Sequence, residues 1–477
     1  MYTIKKFRNN HPVLGYRVQG AWKNFGQKFA PKTLAEILSE KYDVDIVVYE
    51  NPNGIFKKST LFNTIELPDS SRNGIDKNYI GIYEEILNNV EVNIPNVGNN
   101  PIFDYLRQQN YSFGIAEFNQ IAGAFAAFRI LGIEKTFNVV ASAFLPEYFQ
   151  FIGIDVTKHN IPSFIAEPGD WNTTDGIWKE GSKKYRNTLK YHRKDIANLN
   201  KHWKYEIPKM YRDMYEESEI QQNKSIPSFK HLFAKIKYHF INQHKLGNFR
   251  DYPKTNKIVH IGGIVVEDKK ILTQEKSKES EPKCVILLSF GTIFTENMLI
   301  YMENDIKKMF ELFEEYSHCI YKVKLIKEYL PENYNKEIIH VSEENIPQQE
   351  LLSKTNTKLF ISHCGTNSLN EAMYAGVPLI CIPYAIEQFY NSSLVEHLGI
   401  GKYVSLIKIV EEKEVKNEKF IVDFENAFRE MMKENNVYQK AANKLRKNIH
   451  KDYKGEDKYP IKHHFLEMIS KEIDGDE

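Results

Sequence analysis

A chain of 477 residues can bury a large core, and its length alone favours two or more domains. Its 64 Lys and Arg balance 63 Asp and Glu, a formal charge of +1, which argues against a general nucleic-acid or membrane-surface binder. Four cysteines, Cys284, Cys319, Cys364 and Cys381, form no C-x-x-C pair and have no neighbours at zinc-ligand spacing. Neither a disulfide framework nor a zinc site is expected from them.

The opening "MYTIKKFRNNHPVLGY" has no apolar core of signal-peptide length, and no run of 18 apolar residues suggests a membrane span. "PKTLAEILSEKY" (31–42) predicts a helix and "VDIVVYE" (44–50) a strand. "YSFGIAEF" (111–118) and "TFNVVASAF" (136–144) follow as strands, with "NQIAGAFAAFRILGI" (119–133) between them as a buried helix. This alternation predicts a parallel, doubly wound sheet. From 178 to 245 the chain is charged and helical with no clear strand, as expected of helices that decorate the first domain with a solvated face. "KIVHIGGIVV" (257–266) reads as a strand, and "EDKKILTQEKSKESEPK" (267–283) as an exposed connection. Alternation then resumes. Strands are predicted at 284–290, 321–326, 337–342, 358–363 and 378–384, and helices at 297–316, 367–376 and 391–399. Residues 408–477 read as terminal helices.

The stretch that carries chemistry is "FISHCGTNSLNEAMYAGVP" (360–378). In open parallel sheets, ligands bind beyond the carboxyl ends of strands, and His363 sits at such an end. A helix beginning near Ser368 presents unpaired N–H groups and a positive dipole end, which favour a phosphate. Gly365 lets the backbone come close to that anion, and His363, Asn367 and Ser368 can add hydrogen bonds. Glu371, one turn in, suits a diol such as a ribose. The plainer alternative is that Ser368-x-x-Glu371 is a capping box that only satisfies helix N–H groups. Neighbouring strand ends carry polar turns too: Ser289, Gly291 and Thr292; Gln348; and Glu387 with Gln388. Together they predict one composite site.

Read in combination, N-I-P-Q (345–348), F-I-S-H-C-G-T-N-S-L-N-E-A (360–372), G-V-P (376–378) and E-Q-F-Y-N (387–391) resemble the signature of the UDP-glycosyltransferases, the UDP-glucuronosyl and UDP-glucosyl transferase family. Its usual form is W-x-P-Q, F-x-T-H-G-G-x-N-S-x-x-E-A, G-V-P and D-Q-x-x-N. "NKIVHIGGI" and "VILLSFGT" are similar to the animal, particularly nematode, branch. The resemblance implies an α/β fold of the GT-B kind, two Rossmann-like doubly wound domains facing across a cleft. Residues 1–255 would bind the acceptor, divergent before about 34; residues 256–440 would bind the UDP-sugar; 441–477 would be a helical tail. It implies inverting transfer from UDP-glucuronate or UDP-glucose to a small lipophilic acceptor. No metal or other cofactor and no nucleic acid are implied, and the sequence leaves room for a homodimer. By position, Ser289, Gly291 and Thr292 would line the donor cleft and Gln348 would meet the uracil. His363, Gly365, Asn367 and Ser368 would hold the diphosphate, Glu371 the ribose, and Glu387 and Gln388 the transferred sugar.

Four positions depart from the pattern. Asn345 replaces the Trp that stacks on uracil, and Glu387 replaces an Asp. Cys364 replaces the first loop glycine and is expected to be harmless. The family's base histidine falls on Gln27, which cannot accept a proton at useful pKa. Glu117 stands where the family has the carboxylate that orients that histidine, and is the candidate catalytic residue, as base itself or through a water. Two readings therefore stand: a glycosyltransferase, and a UDP-sugar-binding pseudoenzyme lacking the histidine. Read as it stands, the chain is expected in the cytoplasm; animal members of the family are ER-membrane enzymes.

Overall fold

The computed structural model describes residues 12–17, 31–50, 59–70, 72–166, 168–169, 181–217, 228–278, 282–291, 295–344, 346–410, 413–454 and 460–475. Its first sheet uses strands β1 (Pro12–Arg17), β2 (Asp43–Tyr49), β3 (Asn63–Leu67), β6 (Phe113–Ala116), β7 (Thr136–Val140), β8 (His239–Ile241) and β9 (Ile258–His260). They run parallel in the order β3-β2-β1-β6-β7-β8-β9, while β4 (Glu91–Ile94) and β5 (Gly98–Pro101) form a separate hairpin. The second sheet is also parallel, ordered β12-β11-β10-β13-β14-β15. It comprises β10 (Cys284–Ser289), β11 (Cys319–Lys324), β12 (Ile339–Ser342), β13 (Thr357–Ser362), β14 (Leu379–Cys381) and β15 (Gly401–Tyr403).

Parallel strands are covered on both faces, so their residues are apolar throughout but alternate in destination. In β10, Ile286 and Leu288 pack into an outer core with the long helix Thr295–Glu315, while Leu287 faces a different cluster. In β13, Leu359 and Ile361 point outward and Phe360 inward. In β2, Val44, Ile46 and Val48 join a third cluster, while Val47 and Tyr49 join the one that holds Leu287 and Phe360. That middle cluster therefore runs through both domains.

Several elements differ from the sequence expectation. His239–Ile241 forms a strand inside the stretch read as purely helical. Its three residues are too few to show a period, but pairing with β7 and β9 satisfies its backbone. The stretch read as one strand, 257–266, splits into β9 and the helix Ile264–Lys269. β9 pairs with β8, so the first sheet extends past residue 255. Residues 408–477 are not all helical: Ile407–Val410 and Lys413–Lys416 form an antiparallel hairpin, β16 and β17.

The final helix, Ile461–Asp474, returns to the first domain and places Phe465 and Ile469 in the core with Leu34, Ile37 and Phe240. Lys41 reaches Asp474 at 3.3 Å and Lys462 reaches Glu40 at 2.9 Å. Among the described residues no helix is long and apolar enough to cross a membrane.

The cysteine expectation is corrected. Cys284 and Cys319 open adjacent strands in register and are joined, and Cys364 is joined to Cys381 at the end of β14. Spacing along the chain cannot reveal a pairing that depends on strand register.

Candidate functional site

The carboxyl ends of the two sheets face one another across a cleft of about 640 Å³. On one wall, Glu117, Ala141 and Asn242 each follow the last residue of β6, β7 and β8. Leu145 and Phe164 add apolar surface there. On the other wall, Ser289 and Gly291 come from the end of β10, His363 from the end of β13, and Asn367, Ser368 and Glu371 from the helix Thr366–Ala375. Gln348 opens the helix Gln348–Leu352, and Glu387 and Gln388 open the helix Glu387–His397. Every candidate residue except Thr292 thus lines one cleft. Thr292, Gln27 and Asn345 lie outside the described residues.

The helix at the centre of this wall begins at Thr366, with Gly365 as N-cap and no side-chain cap. Ser368 and Glu371 therefore do not form the capping box. Glu371 instead accepts from Nε2 of Gln348 at 2.6 Å and Nε2 of Gln349 at 2.9 Å. A two-glutamine clamp fixes the carboxylate at the cleft, and Gln348 also donates to Oγ of Ser368 at 3.3 Å.

The imidazole of His363 sits between two glycines. A Cβ on Gly291 would lie 2.8 Å from its Nε2, and one on Gly365 would lie 2.6 Å from the same atom. Gly291 also has φ +80°, a conformation glycine adopts without a Cβ penalty. Cys364 has φ +61°, so the expectation that it is harmless is corrected. A side chain in this left-handed region costs about 1–3 kcal/mol. The loop is held from behind by Asn391, whose Nδ2 donates to the Cys364 carbonyl at 2.9 Å and Oγ1 of Thr366 at 3.1 Å. Asn391 itself is buried.

A second strained residue precedes Glu387. Ile386 has φ +48°, rare for a β-branched side chain. Gln388 stabilises this turn by accepting from the backbone N–H groups of Tyr384 at 2.8 Å and Ala385 at 3.1 Å. Glu387 keeps some exposure to the cleft, yet protein surrounds its carboxyl, and that desolvation pushes its pKa up to about 7.

On the opposite wall, Oε1 of Glu117 accepts from the N–H of Ala141 at 3.1 Å. Among the described residues that line the cleft, the one histidine is His363, on the far wall from Glu117. His239 is linked to the residue after Glu117: Asn138 accepts from the Phe118 N–H at 2.8 Å and contacts Nδ1 of His239 at 3.0 Å. Full burial pushes the His239 pKa down to about 3, so this imidazole is a neutral element of the wall.

Sequence reading missed Asn242, Gln349 and Lys324, which line the cleft, and gave Asn391 only as the last residue of E-Q-F-Y-N. The signal available for Asn242 was a polar Asn242-Gln243-His244 run directly after a short apolar stretch. One cysteine–histidine group, Cys284, His318 and Cys319, brings its ligand atoms within 4.8 Å of one another. It lies at the amino ends of β10 and β11, away from the cleft, and its two sulfurs are bonded to each other.

Residues 196–457, more than half of the chain, match the family described as UDP-glucoronosyl and UDP-glucosyl transferase. The chain belongs to that family. Within it, ugt-48 of Caenorhabditis elegans, a protein named for UDP-glucuronosyl transfer, is 30% identical over 205 residues, which is 41% of this chain and 36% of that protein. An ecdysteroid UDP-glucosyltransferase of Lacanobia oleracea granulosis virus is 23% identical over 371 residues, 76% of this chain and 74% of that one. Matches to three nematode members span 36%, 56% and 60% of their lengths.

Solved structures extend the likeness to the whole fold. Os79 from O. sativa, in complex with UDP and deoxynivalenol-3-glucoside, superposes with a TM-score of 0.57 at 14% identity, over 96% of this chain and 99% of that one. LpCGTa in complex with UDP gives 0.57 at 14% identity, over 98% and 99%. The fold is GT-B: two Rossmann-like domains facing a cleft.

Proposed function

We propose that the protein is an inverting glycosyltransferase that moves glucosyl or glucuronosyl from a UDP-sugar to a small lipophilic acceptor. The observation that carries this reading is the convergence of Ser289, Gln348, His363, Asn367, Ser368, Glu371, Glu387 and Gln388 on one wall of a single cleft, with Glu117 on the other. Family membership supports the donor, and the nematode relatives favour the animal branch. On this reading the diphosphate lies at the start of the helix Thr366–Ala375, where N–H groups and the dipole stabilise the departing UDP. Glu371 takes the ribose hydroxyls, Gln348 the uracil, and Glu387 with Gln388 the sugar.

In the reaction the acceptor O–H gives its proton to the Glu117 carboxylate, directly or through one water. Its oxygen forms the new bond to the anomeric carbon from the face opposite the phosphate, and the bond from that carbon to the phosphate oxygen breaks. Phenols, carboxylic acids and thiols are the best acceptors, because they ionise more readily than alcohols. Leu145 and Phe164 provide an apolar surface for such a molecule.

The test is UDP release from UDP-glucose and UDP-glucuronate with a panel of phenols. Glycoside formation that is lost in Glu117→Ala supports the enzyme. Tight UDP binding with no turnover supports the pseudoenzyme, which the absence of a histidine beside Glu117 among the described cleft residues keeps as the second reading. Unaltered UDP affinity in both His363→Ala and Glu371→Ala sinks the donor site.

A further inference from the structure

Three asparagine amides stand in series between the walls of the cleft. Asn242 and Asn370 are buried, and Asn367 faces the cleft. Nδ2 of Asn370 donates to the backbone carbonyl of Asn242 at 2.9 Å and to its Oδ1 at 3.1 Å. Nδ2 of Asn242 donates to the carbonyl of Ala141 at 3.0 Å and to Oδ1 of Asn367 at 2.8 Å. Backbone carbonyls only accept, so the two in this set fix which end of each buried amide is nitrogen. Both protons of Asn242 are then used. With its oxygen turned toward Asn242, Asn367 presents its N–H end as the other pole of the amide.

The series continues the other way through one peptide. Ala141 accepts from Asn242 at its carbonyl and donates from its N–H to Glu117 at 3.1 Å. The donor-side amide of Asn367 and the acceptor-side carboxylate of Glu117 are therefore linked through two residues, Asn242 and Ala141. These contacts join the first domain, at the ends of β7 and β8, to the helix Thr366–Ala375 of the second.

We propose that Asn242 is a positioning residue: it holds Asn367 with its N–H end toward the diphosphate and, through Ala141, registers Glu117 against the donor. This rests on the donor reading given above. It assigns to an asparagine of the first domain a role in binding a ligand held by the second.

The test is Asn242→Asp, examined with and without the Asn367 amide. A carboxylate at 242 faces two oxygens, those of Ala141 and Asn367, and the Asn367 amide turns its nitrogen inward to meet it. Its oxygen then faces the diphosphate. UDP Kd by titration calorimetry is expected to rise about 10-fold, the scale of one lost charge-assisted hydrogen bond. In an Asn367→Ala background the same substitution is expected to change Kd by less than about 2-fold. Saturating UDP-sugar is expected to leave kcat reduced, because Ala141, which holds Glu117, has lost its bond from Asn242. Asn242→Ala, which buries no charge, is the second variant should the first not fold, and the same dependence on Asn367 is expected of it.

Equal losses in both backgrounds, or no loss in either, overturn the role of Asn242 while the wild type still binds UDP. A wild type that binds no UDP is a different failure: it overturns the donor site, and the orientation of Asn367 toward a diphosphate with it.

Discussion

Substituting Gly365 by Ala isolates the contribution of His363. The position has φ −60° and ψ 150°, which alanine adopts without backbone strain. The new Cβ, however, lies 2.6 Å from Nε2 and 3.2 Å from Cε1 of His363. Heavy atoms in contact sit about 3.5 Å apart, so the ring tip must retreat by about 1 Å. Gly291 lies on the other side, where even a Cβ would come within 2.8 Å of the ring, so little room is left there. The imidazole must swing out of the loop. Overpacking of this kind costs about 1–3 kcal/mol. In the free protein the open cleft can absorb the displaced ring, so the cost appears on ligand binding, as a loss in UDP affinity of about 5- to 150-fold. Calorimetric titration with UDP measures it, and thermal unfolding of the free protein checks that the fold is kept. The loss should vanish when Gly365→Ala is made in a His363→Ala background. An unchanged affinity, or the same loss without the imidazole, refutes the placement of His363 against the diphosphate.

Glu387 makes donor choice depend on pH. Its carboxyl ionises as pH rises through about 7, and only the ionised form repels a glucuronate carboxylate. The ratio of kcat/KM for UDP-glucuronate over UDP-glucose should therefore fall about 10-fold from pH 6 to pH 8, and Glu387→Gln should flatten it; a constant wild-type ratio counts against contact with the sugar. Glu267 is buried where it accepts from the Tyr374 hydroxyl at 2.9 Å and the Ile461 N–H at 2.7 Å, and burial pushes its pKa up to about 7. The folded state thus holds a proton that the unfolded state has released, so this group's contribution to stability falls as pH rises from about 4.5 to about 7. Glu267→Gln should gain on the wild type over that interval, on the order of a few kcal/mol at most, and denaturant midpoints at pH 5 and pH 8 measure it. Cys364 tests the backbone alone: under reducing conditions Cys364→Gly should be more stable than Cys364→Ala by about 1 kcal/mol, because only glycine is at ease at φ +61°. Equal stabilities would contradict that conformation.

The second domain was readable in the sequence because its strands are long apolar runs bounded by glycine and polar turns, as in "CVILLSF" and "KLFISH". Most residues on the cleft wall opposite Glu117 were readable for the same reason, since they lie at strand ends or in the turns and helices that follow them. What escaped the reading depends on pairing across distance. Three residues, His239–Ile241, carry no period, and only pairing with β7 and β9 makes them a strand. Asn242 was lost with that strand. The join between Cys284 and Cys319 depends on register between two strands separated by a long helix. Glu371 was assigned its place at the cleft, but its clamp by Gln349 requires knowing how the helix Gln348–Leu352 approaches the next one. The positive φ of Cys364 belongs to the tight exit from β13 and is not a property of residue type.

The return of the helix Ile461–Asp474 to the first domain has a consequence for biosynthesis. Lys41 and Asp474 are 433 residues apart, so the outer face of the first sheet leaves the ribosome long before the helix that covers it. During that interval Leu34, Ile37 and Phe240 have no Phe465 or Ile469 to pack against. Domains generally fold in order of synthesis, and a bare apolar face on an early domain is a site for aggregation or chaperone capture. Closing so long a loop has a chain-entropy cost of about 5 kcal/mol, which the rest of the fold lowers by bringing the ends together first. Docking of the last helix is therefore a late folding step, and a nascent chain released before residue 461 would carry its first domain uncovered.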